Sequence, residues 1–599
     1  MCGIAGFLKT NSKVDEKSIF QMQHALKRRG PDQDGLYLGN GAALAHTRLS
    51  VIDLENGRQP MIYRRGEEKY IIVYNGELYN TEEVRNRLKN IGYTFESHSD
   101  TEVLLKSYAE HKEKCLDYLN GIFSFAIFEE RSNRLFLARD RIGVKPFFYH
   151  LKNGAFYFAS EIKSLLSHPD IKAKLDEKSI SEIMLMGPGR TPGCGVFSGI
   201  EELIGGHYAI FANGELKIKK YWELKHVHHS DNFEQTSEKV QYLVLDATKR
   251  QLVSDVPIGT FLSGGLDSSI ITSVAKQELG SLMTFSVDYE ENDKFFQSSV
   301  FTPENDMTYI QKMRDFLGDG ITHHRVILKT EDLVNSLYEA VDARDLPGMG
   351  DIDSSLLLFS KEVKKYATCS LSGECADEIF GGYPWFRDEQ VRNLDTFPWS
   401  VLKRDEFLHD DLKEVIDKDY SKKRYEEALK QVSVLKNSSP LEKRMKEMSR
   451  LNFDYFMQTL LDRKDRMSMY SGVEVRVPFC DYRIAEYLYS VPWEFKDYLG
   501  REKGLLRHAM KNYLPHDVLY RKKSPYPKTH NPKFLSLVSA ELKKVLDNAS
   551  SPLLKIANKK SLENLLVTNN PVPWYGQLMT TPQTIAYFLQ VNYWLKKFF

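Results

Sequence analysis

Cys2 follows the initiator methionine in Met1-Cys2-Gly3-Ile4-Ala5-Gly6-Phe7, so removal of Met1 would leave a thiol and a free α-amine on one residue. That is a nucleophile with its own base. A thiol needs a nearby base or a lowered pKa to attack an amide, and an N-terminal amine titrates near enough to neutrality to take the proton, directly or through a water. An idle thiol on a frayed terminus is the plain alternative. Gly3 and Gly6 among short apolar residues favour a buried strand with close backbone approach instead.

A second chemistry lies in Ser263-Gly264-Gly265-Leu266-Asp267-Ser268-Ser269, between an expected strand and an expected helix. Backbone N–H groups at the two glycines can wrap a pyrophosphate, the helix N-terminus adds partial positive charge, and Ser268 and Ser269 add hydroxyl donors. Asp267 would repel phosphate unless a cation lay between them, which points to Mg²⁺. A simple N-cap would need one such residue, not five. The chain has no G-x-x-x-x-G-K-[ST], which excludes a Walker-type nucleotide site, and Gly187-Pro188-Gly189 is only a fragment of a dinucleotide fingerprint. A further acidic loop, Ser372-Gly373-Glu374-Cys375-Ala376-Asp377-Glu378, precedes Gly381-Gly382-Tyr383. Loops at the carboxyl ends of neighbouring parallel strands converge, so Asp377 can meet Asp267 around one metal. Without a cation, three acids so close together belong in solvent.

The elements that would position these residues change character along the chain. Up to Leu224, short apolar runs separated by turn signals predict strands at Ala43–Ala45, Tyr70–Tyr74, Phe123–Phe128, Leu135–Ala138, Ala155–Ala159 and Tyr208–Phe211. Helical periodicity marks Lys17–Arg28, Glu82–Ile91 and Thr101–His111. The expected fold is an α+β layered sandwich over residues 1–224. Residues 225–236 are polar and carry His226, His228 and His229; without a carboxylate at ligand spacing they read as a solvated linker. From 237 to 599 the chain begins as strand, loop and helix in alternation: Gly259–Leu262, Ser269–Gln277, Met283–Val287, Met307–Phe316, His324–Leu328, Asp332–Val341 and Ala367–Leu371. That is the rhythm of an α/β parallel sheet, and a mostly helical, charged part follows it.

Composition excludes several classes. At 599 residues the chain exceeds one hydrophobic core, and with 42% hydrophobic residues it is far from disordered. Lys+Arg and Asp+Glu each total 82, leaving no field to gather nucleic acid. Six cysteines without a C-x-x-C pair indicate neither a disulfide scaffold nor a zinc ribbon. The N-terminus lacks a basic and apolar leader and no apolar run is long enough for a bilayer, so a cytoplasmic protein with no membrane partner is expected.

Taken together, these motifs resemble the glutamine-hydrolysing asparagine synthetase family over nearly the whole chain. The resemblance implies an N-terminal nucleophile hydrolase-like glutaminase domain followed by a synthetase domain, with glutamine, aspartate and ATP as substrates, Mg²⁺ as cofactor, and a homodimer as the assembly to test. It assigns Cys2 as the glutamine nucleophile and Arg48, in His46-Thr47-Arg48-Leu49-Ser50, as the clamp on the glutamine α-carboxylate. Glu77 and Asp100 would hold the α-ammonium, while Asn75 and Gly76, otherwise a hairpin turn, would form the oxyanion hole. In the second half it assigns Ser263, Gly264, Gly265, Asp267 and Ser268 to phosphates, and Phe261, Val287, Ser372 and Gly373 to the adenine side. Phe261 stands where the family usually has leucine. Asp267 and Asp377 would hold the metal, Glu374 would accept a proton from attacking ammonia, and Lys503, otherwise one surface lysine among many, would steady the phosphoryl transition state. The string Gly472–Phe479 is a further family mark with a structural role.

One segment departs: Arg344–Ser355 lacks the family's threonine-rich stretch and its arginine, although Ser354 and Ser355 keep hydroxyls and Asp351 and Asp353 add carboxylates. Aspartate is the expected acceptor, with a basic partner from elsewhere in the chain. The rival is an amidotransferase acting on another carboxylate, such as a peptidoglycan precursor or a peptide. A degenerate interaction protein would not keep Cys2, Asn75, Asp267, Glu374 and Asp377, and a β-lactam synthetase would carry tyrosine at Glu374. Because protonated ammonia is no nucleophile, an apolar passage between the two sites is implied.

Overall fold

The computed structural model describes residues 2–9, 14–296, 305–568, 570 and 572–599. Among them, the first half forms two six-stranded antiparallel sheets. One runs, in spatial order, Ile200–Glu202, Phe148–Lys152, Ala155–Ala159, Gly3–Lys9, Ala42–Arg48 and Gln33–Leu38; the other runs Glu215–Lys220, His207–Ala212, Arg134–Arg139, Gly121–Glu129, Glu68–Leu78 and Met61–Arg65. Alternation decides the layers. Ile4, Leu44, Ile71, Val73, Ala126 and Phe158 fill the space between the sheets. Ala5, Phe7 and Ala43 face Ile19 and Met22 of the helix Glu16–His24, and Ile72 and Tyr74 face Val103 and Leu104 of the helix Asp100–His111. The result is the expected α+β sandwich, helix outside sheet on both faces. Both early glycines are required by close approach: a Cβ on Gly3 would lie 2.6 Å from Thr47 Oγ1, and one on Gly6 2.7 Å from the Ala43 carbonyl oxygen.

The second half holds a five-stranded parallel sheet in the order Ile321–Leu328, Leu282–Tyr289, Ile258–Phe261, Cys369–Leu371, Glu474–Arg476, and the remainder is helical. Its last strand was not expected; it lies in the string read only as a family mark. The helix expected at Asp332–Val341 is two, Thr330–Asn335 and Leu337–Arg344, parted where Ser336 leaves helical geometry. In the segment read as linker, Asn232 caps the helix Phe233–Arg250, so its last residues are helical. His226 and His229 are half-buried rather than solvated: Leu435 N–H donates to His226 Nδ1 at 3.2 Å, and His229 Nε2 lies 2.8 Å from Thr236 Oγ1. One cysteine pairing also departs from expectation. Cys375 and Cys480 form a disulfide across a separation of 105 residues, a link that no local spacing reveals. No described helix is long and apolar enough to cross a membrane.

Candidate active sites

Cys2 leads into the first strand, and its backbone N–H donates to Asn75 Oδ1 at 3.0 Å. Since a backbone nitrogen only donates, this contact fixes the orientation of the Asn75 amide and leaves Nδ2 as the outward donor. Asn75 is completely buried, and Nδ2 has no hydrogen-bond partner. An orphaned buried N–H₂ is costly unless a ligand oxygen meets it.

Gly76 supplies a second donor by sheet register. It lies opposite Phe123, but Phe123 N–H donates to Asp140 Oδ2 and its carbonyl accepts from Asp140 N–H, both on the far edge. Gly76 and Phe123 are therefore a non-hydrogen-bonded pair, and the Gly76 N–H turns the other way. On that edge the pairing with Met61–Arg65 ends at Ile72. The flanking N–H groups there are taken by side chains: Tyr74 donates to Gln59 Oε1 at 2.7 Å and Leu78 to Asp100 Oδ2 at 3.0 Å. Between them the Gly76 N–H points to the same edge, one residue on from Asn75, and a Cβ on Gly76 would strike the Ile122 carbonyl oxygen at 2.3 Å.

The charged residues gather round this point. The Arg48 guanidinium is gripped by the carbonyls of Ile52 at 3.0 Å, Asp53 at 2.7 Å and Leu54 at 3.2 Å, and by Gln33 Oε1 at 2.9 Å. These neutral oxygens leave its charge uncancelled but take both Nη groups, so a carboxylate clamped here would have to displace one of them. Burial pushes the Cys2 thiol pKa up, while the Leu49 N–H and Arg48 pull it down and Glu77 adds to the rise. Asp100 accepts from the Tyr74 hydroxyl at 2.9 Å, and burial still raises its pKa. Glu77 is raised well above the carboxylate range by burial and by Glu474, opposed by Arg476, whose Nη2 lies 3.7 Å from Glu77 Oε2. A cation bound at Glu77 would relieve that cost. Arg476 belongs to the second half of the chain, and its carbonyl accepts the Ser372 N–H at 2.9 Å, so one residue touches both sites.

The second site is a cavity of about 230 Å³ at the carboxyl ends of the parallel strands. Ser263, Gly265, Asp267, Ser268, Phe261, Val287, Ser372, Gly373, Glu374, Asp377 and Lys503 all line it. Gly264 does not; its φ of +67° makes the turn, and a Cβ there would lie 2.6 Å from Tyr309 Cβ. Ser269, read as a possible phosphate donor, is completely buried away from the cavity. The two loops touch through Gly373, where a Cβ would meet Asp267 Cβ at 2.9 Å.

Asp267 and Asp377 converge on one cation, the Lys503 ammonium, which lies 2.7 Å from Asp267 Oδ2 and 2.8 Å from Asp377 Oδ1. Lys523 joins Asp377 Oδ2 at 2.5 Å. Burial raises the Asp267 pKa in spite of Lys503, whereas Lys503 and Lys523 together overcome burial at Asp377 and hold it well below the carboxylate range. Two carboxylates already shared around a positive charge, at the mouth of a phosphate loop, have the hard oxygen chemistry that Mg²⁺ requires. At Glu374, burial is outweighed by Lys464, 2.9 Å away, and by Arg463, so its pKa falls.

The segment that departed from the family pattern contributes less than its residue types suggested. Asp353 faces Arg344 at 3.7 Å, Asp351 receives Gln583 Nε2 at 3.4 Å, and Ser354 turns back to the Gly350 carbonyl. None of the three lines the cavity. Ser355 reaches it indirectly, 3.1 Å from the hydroxyl of Tyr526. A basic residue does stand on the cavity wall: Arg463 is buried there, stacked 4.8 Å from the Tyr526 ring, with Nε lacking a hydrogen-bond partner. Arg463, Lys464 and Lys523 were missed by sequence reading. The signal for the first two was a charged run, Asp462–Arg466, inside an otherwise apolar helix.

Comparison with known proteins decides the family. Residues 239–596 match the asparagine synthase family model and residues 1–222 the glutamine amidotransferase domain model. The chain belongs to the glutamine-hydrolysing asparagine synthetase family. It is 48% identical to "Asparagine synthetase [glutamine-hydrolyzing] 3" of Bacillus subtilis (strain 168), over 100% of this chain and 99% of that protein. It is also 32% identical to "Asparagine synthetase [glutamine-hydrolyzing] 1" of the same organism, over 88% and 87% of the two chains. The synthetase is thus a ligase of a family that uses ATP as co-substrate.

Proposed function

We propose that this enzyme amidates L-aspartate to L-asparagine through β-aspartyl-AMP, drawing ammonia from glutamine hydrolysed in residues 1–224 and passing it to residues 237–599. The observation that carries this reading is the cavity in which Asp267, Asp377 and Lys503 meet beside Glu374, with Arg463 on its wall. In the first site Cys2 Sγ attacks the glutamine amide carbon and the Cys2 amine, freed of Met1, takes the thiol proton. Asn75 Nδ2 and the Gly76 N–H hold the oxyanion, Arg48 holds the α-carboxylate, and Glu77 and Asp100 hold the α-ammonium. Ammonia leaves, and water releases glutamate from the thioester.

In the second site the aspartate β-carboxylate attacks the α-phosphate of ATP, pyrophosphate departs, and ammonia then displaces AMP with Glu374 taking the proton. The phosphate loop Ser263–Ser268 positions the triphosphate, Phe261, Val287 and Gly373 bound the adenine, and Arg463 pairs with the aspartate α-carboxylate. Mg²⁺ held by Asp267 and Asp377 would supply charge neutralisation for the phosphates. Lys503 contributes a fixed positive charge where the pyrophosphate leaves. The test is ATP–pyrophosphate exchange with Mg-ATP across candidate carboxylates, followed by product analysis with glutamine. Asparagine and pyrophosphate from aspartate are expected; neither, with turnover of a larger carboxylate, overturns the acceptor.

A further inference from the structure

Lys464 faces the synthetase cavity from the helix Met457–Tyr470 and places its ammonium 2.9 Å from Glu374 Oε1. The pair is shielded, with 5% of the Lys464 side chain exposed and 19% of that of Glu374. The same ammonium lies 5.1 Å from the centroid of the Phe261 ring, which Phe359 holds edge-on at 4.9 Å. A lysine placed there loses hydration, and among the described residues a carboxylate and an aromatic face compensate it. Burial does push Lys464 down, and Glu374 is the chief force opposing it. Phe261, the residue that replaces the family's usual leucine, thus provides the second of the two surfaces that hold the cation.

We propose that Lys464 is a positioning residue for amination: clamped between Glu374 and the Phe261 ring, it fixes the carboxylate that takes the proton when ammonia attacks the acyl-adenylate. The inference rests on the assignment of Glu374 as that base. In the step concerned the C–N bond forms, the C–O bond to AMP breaks with its electron pair leaving on the phosphate oxygen, and one N–H proton passes to Glu374. Geometry carries the role. A glutamate with several rotamers loses side-chain freedom when held at one oxygen, and proton acceptors work only within hydrogen-bond reach of the proton they take. Arg463, next in the chain, also acts on Glu374, so without Lys464 the carboxylate has a competing cation to turn to.

The experiment compares Lys464→Met and Lys464→Arg in the full-length enzyme. Pyrophosphate exchange reads adenylation, ammonia-dependent asparagine formation reads amination, and glutamine hydrolysis with the thermal midpoint of the same preparation reports folding. Lys464→Met is expected to lose roughly thirtyfold more in amination than in adenylation, and Lys464→Arg to recover most of the difference. Equal loss in both steps, no loss, or arginine performing no better than methionine overturns the proposal. If the methionine variant lacks glutamine hydrolysis, Lys464→Gln is judged by the same criteria. Glu374→Gln separates the two levels of inference: amination untouched by it removes the base assignment itself, whereas amination lost in Glu374→Gln but intact in Lys464→Met removes only the role of Lys464.

Discussion

Replacing Asn75 by alanine tests the first site most sharply, because two readings of one contact differ by orders of magnitude. If the Asn75 Oδ1 bond to the Cys2 N–H, 3.0 Å long, merely ties two strands together, its loss costs about 1 kcal/mol, or roughly fivefold in any rate that depends on it. If Nδ2 is an oxyanion donor, its loss falls on the transition state and removes roughly 10²–10³ in kcat, about 2.7–4 kcal/mol. The structure favours the larger figure. Nδ2 is buried with no protein partner, and it flanks the one N–H of that strand edge, Gly76, that neighbouring side chains leave uncapped. Glutamine hydrolysis should therefore fall at least hundredfold, with KM changed little because the proposed mechanism rests ground-state binding on Arg48, Glu77 and Asp100. Ammonia-dependent synthesis on the same protein should persist, and an unchanged thermal midpoint separates a lost donor from a misfolded first domain. A fall in kcat of less than tenfold would falsify the oxyanion role and leave Asn75 a structural residue.

Three further outcomes follow from the same geometry. Asp377→Asn removes the charge shared by Lys503 and Lys523, so pyrophosphate exchange should drop by roughly two orders of magnitude or more while glutamine hydrolysis survives; near-normal exchange would refute the metal assignment. Arg463→Leu removes a charge-assisted contact of about 1.5–3 kcal/mol, and should raise the KM for aspartate by roughly ten- to a hundredfold while the KM for ATP holds; equal rises in both would place Arg463 elsewhere in the reaction. Cys375→Gly should cost much less stability in reductant than without it. Cys375 sits at φ +79°, where glycine is unstrained, and in reductant that relief offsets much of the cost of losing its buried side chain. Without reductant the lost bridge, closing a loop with a separation of 105 residues, should add a further loss of roughly 4 kcal/mol. A deficit in thermal midpoint of equal size in both buffers would contradict this.

What was legible beforehand is what lies close together in the chain. Asn75-Gly76-Glu77 were marked by the family resemblance alone; by themselves they suggested a hairpin turn after Tyr74, whereas they continue the strand Glu68–Leu78. The phosphate loop was plain on its own, since strand, glycine turn and helix N-terminus are contiguous. The strand Glu474–Arg476 was not, because three residues carry no usable period and only its parallel partner Cys369–Leu371 defines it. The same holds for Cys375 with Cys480 and for Arg463 with Tyr526, pairings made by the fold alone. Ser354 misled for the opposite reason: its hydroxyl could serve a ligand, but within a helix it had a carbonyl one turn back to satisfy it.

The helix Met457–Tyr470 shows why the junction between the sites escaped a reading by composition. Successive helical residues point about 100° apart, so Lys464 meets Glu374 while its neighbour Asp465 turns to the first domain. There it joins Arg29 at 2.7 Å and Lys145 at 3.0 Å. Arg466, next again, reaches Glu161 at 3.4 Å and pairs with Asp345. The domain junction at this helix is therefore a buried ion cluster. Such a cluster is weak evidence for stability, since desolvation offsets much of its attraction, but removing any one partner strands a buried charge. The pairs of Asp465 with Arg29 and Lys145 and of Arg466 with Glu161 all cross the junction, so parting the two domains there would strand buried charges. The junction is thus built with charges that a sequence reader would assign to solvent.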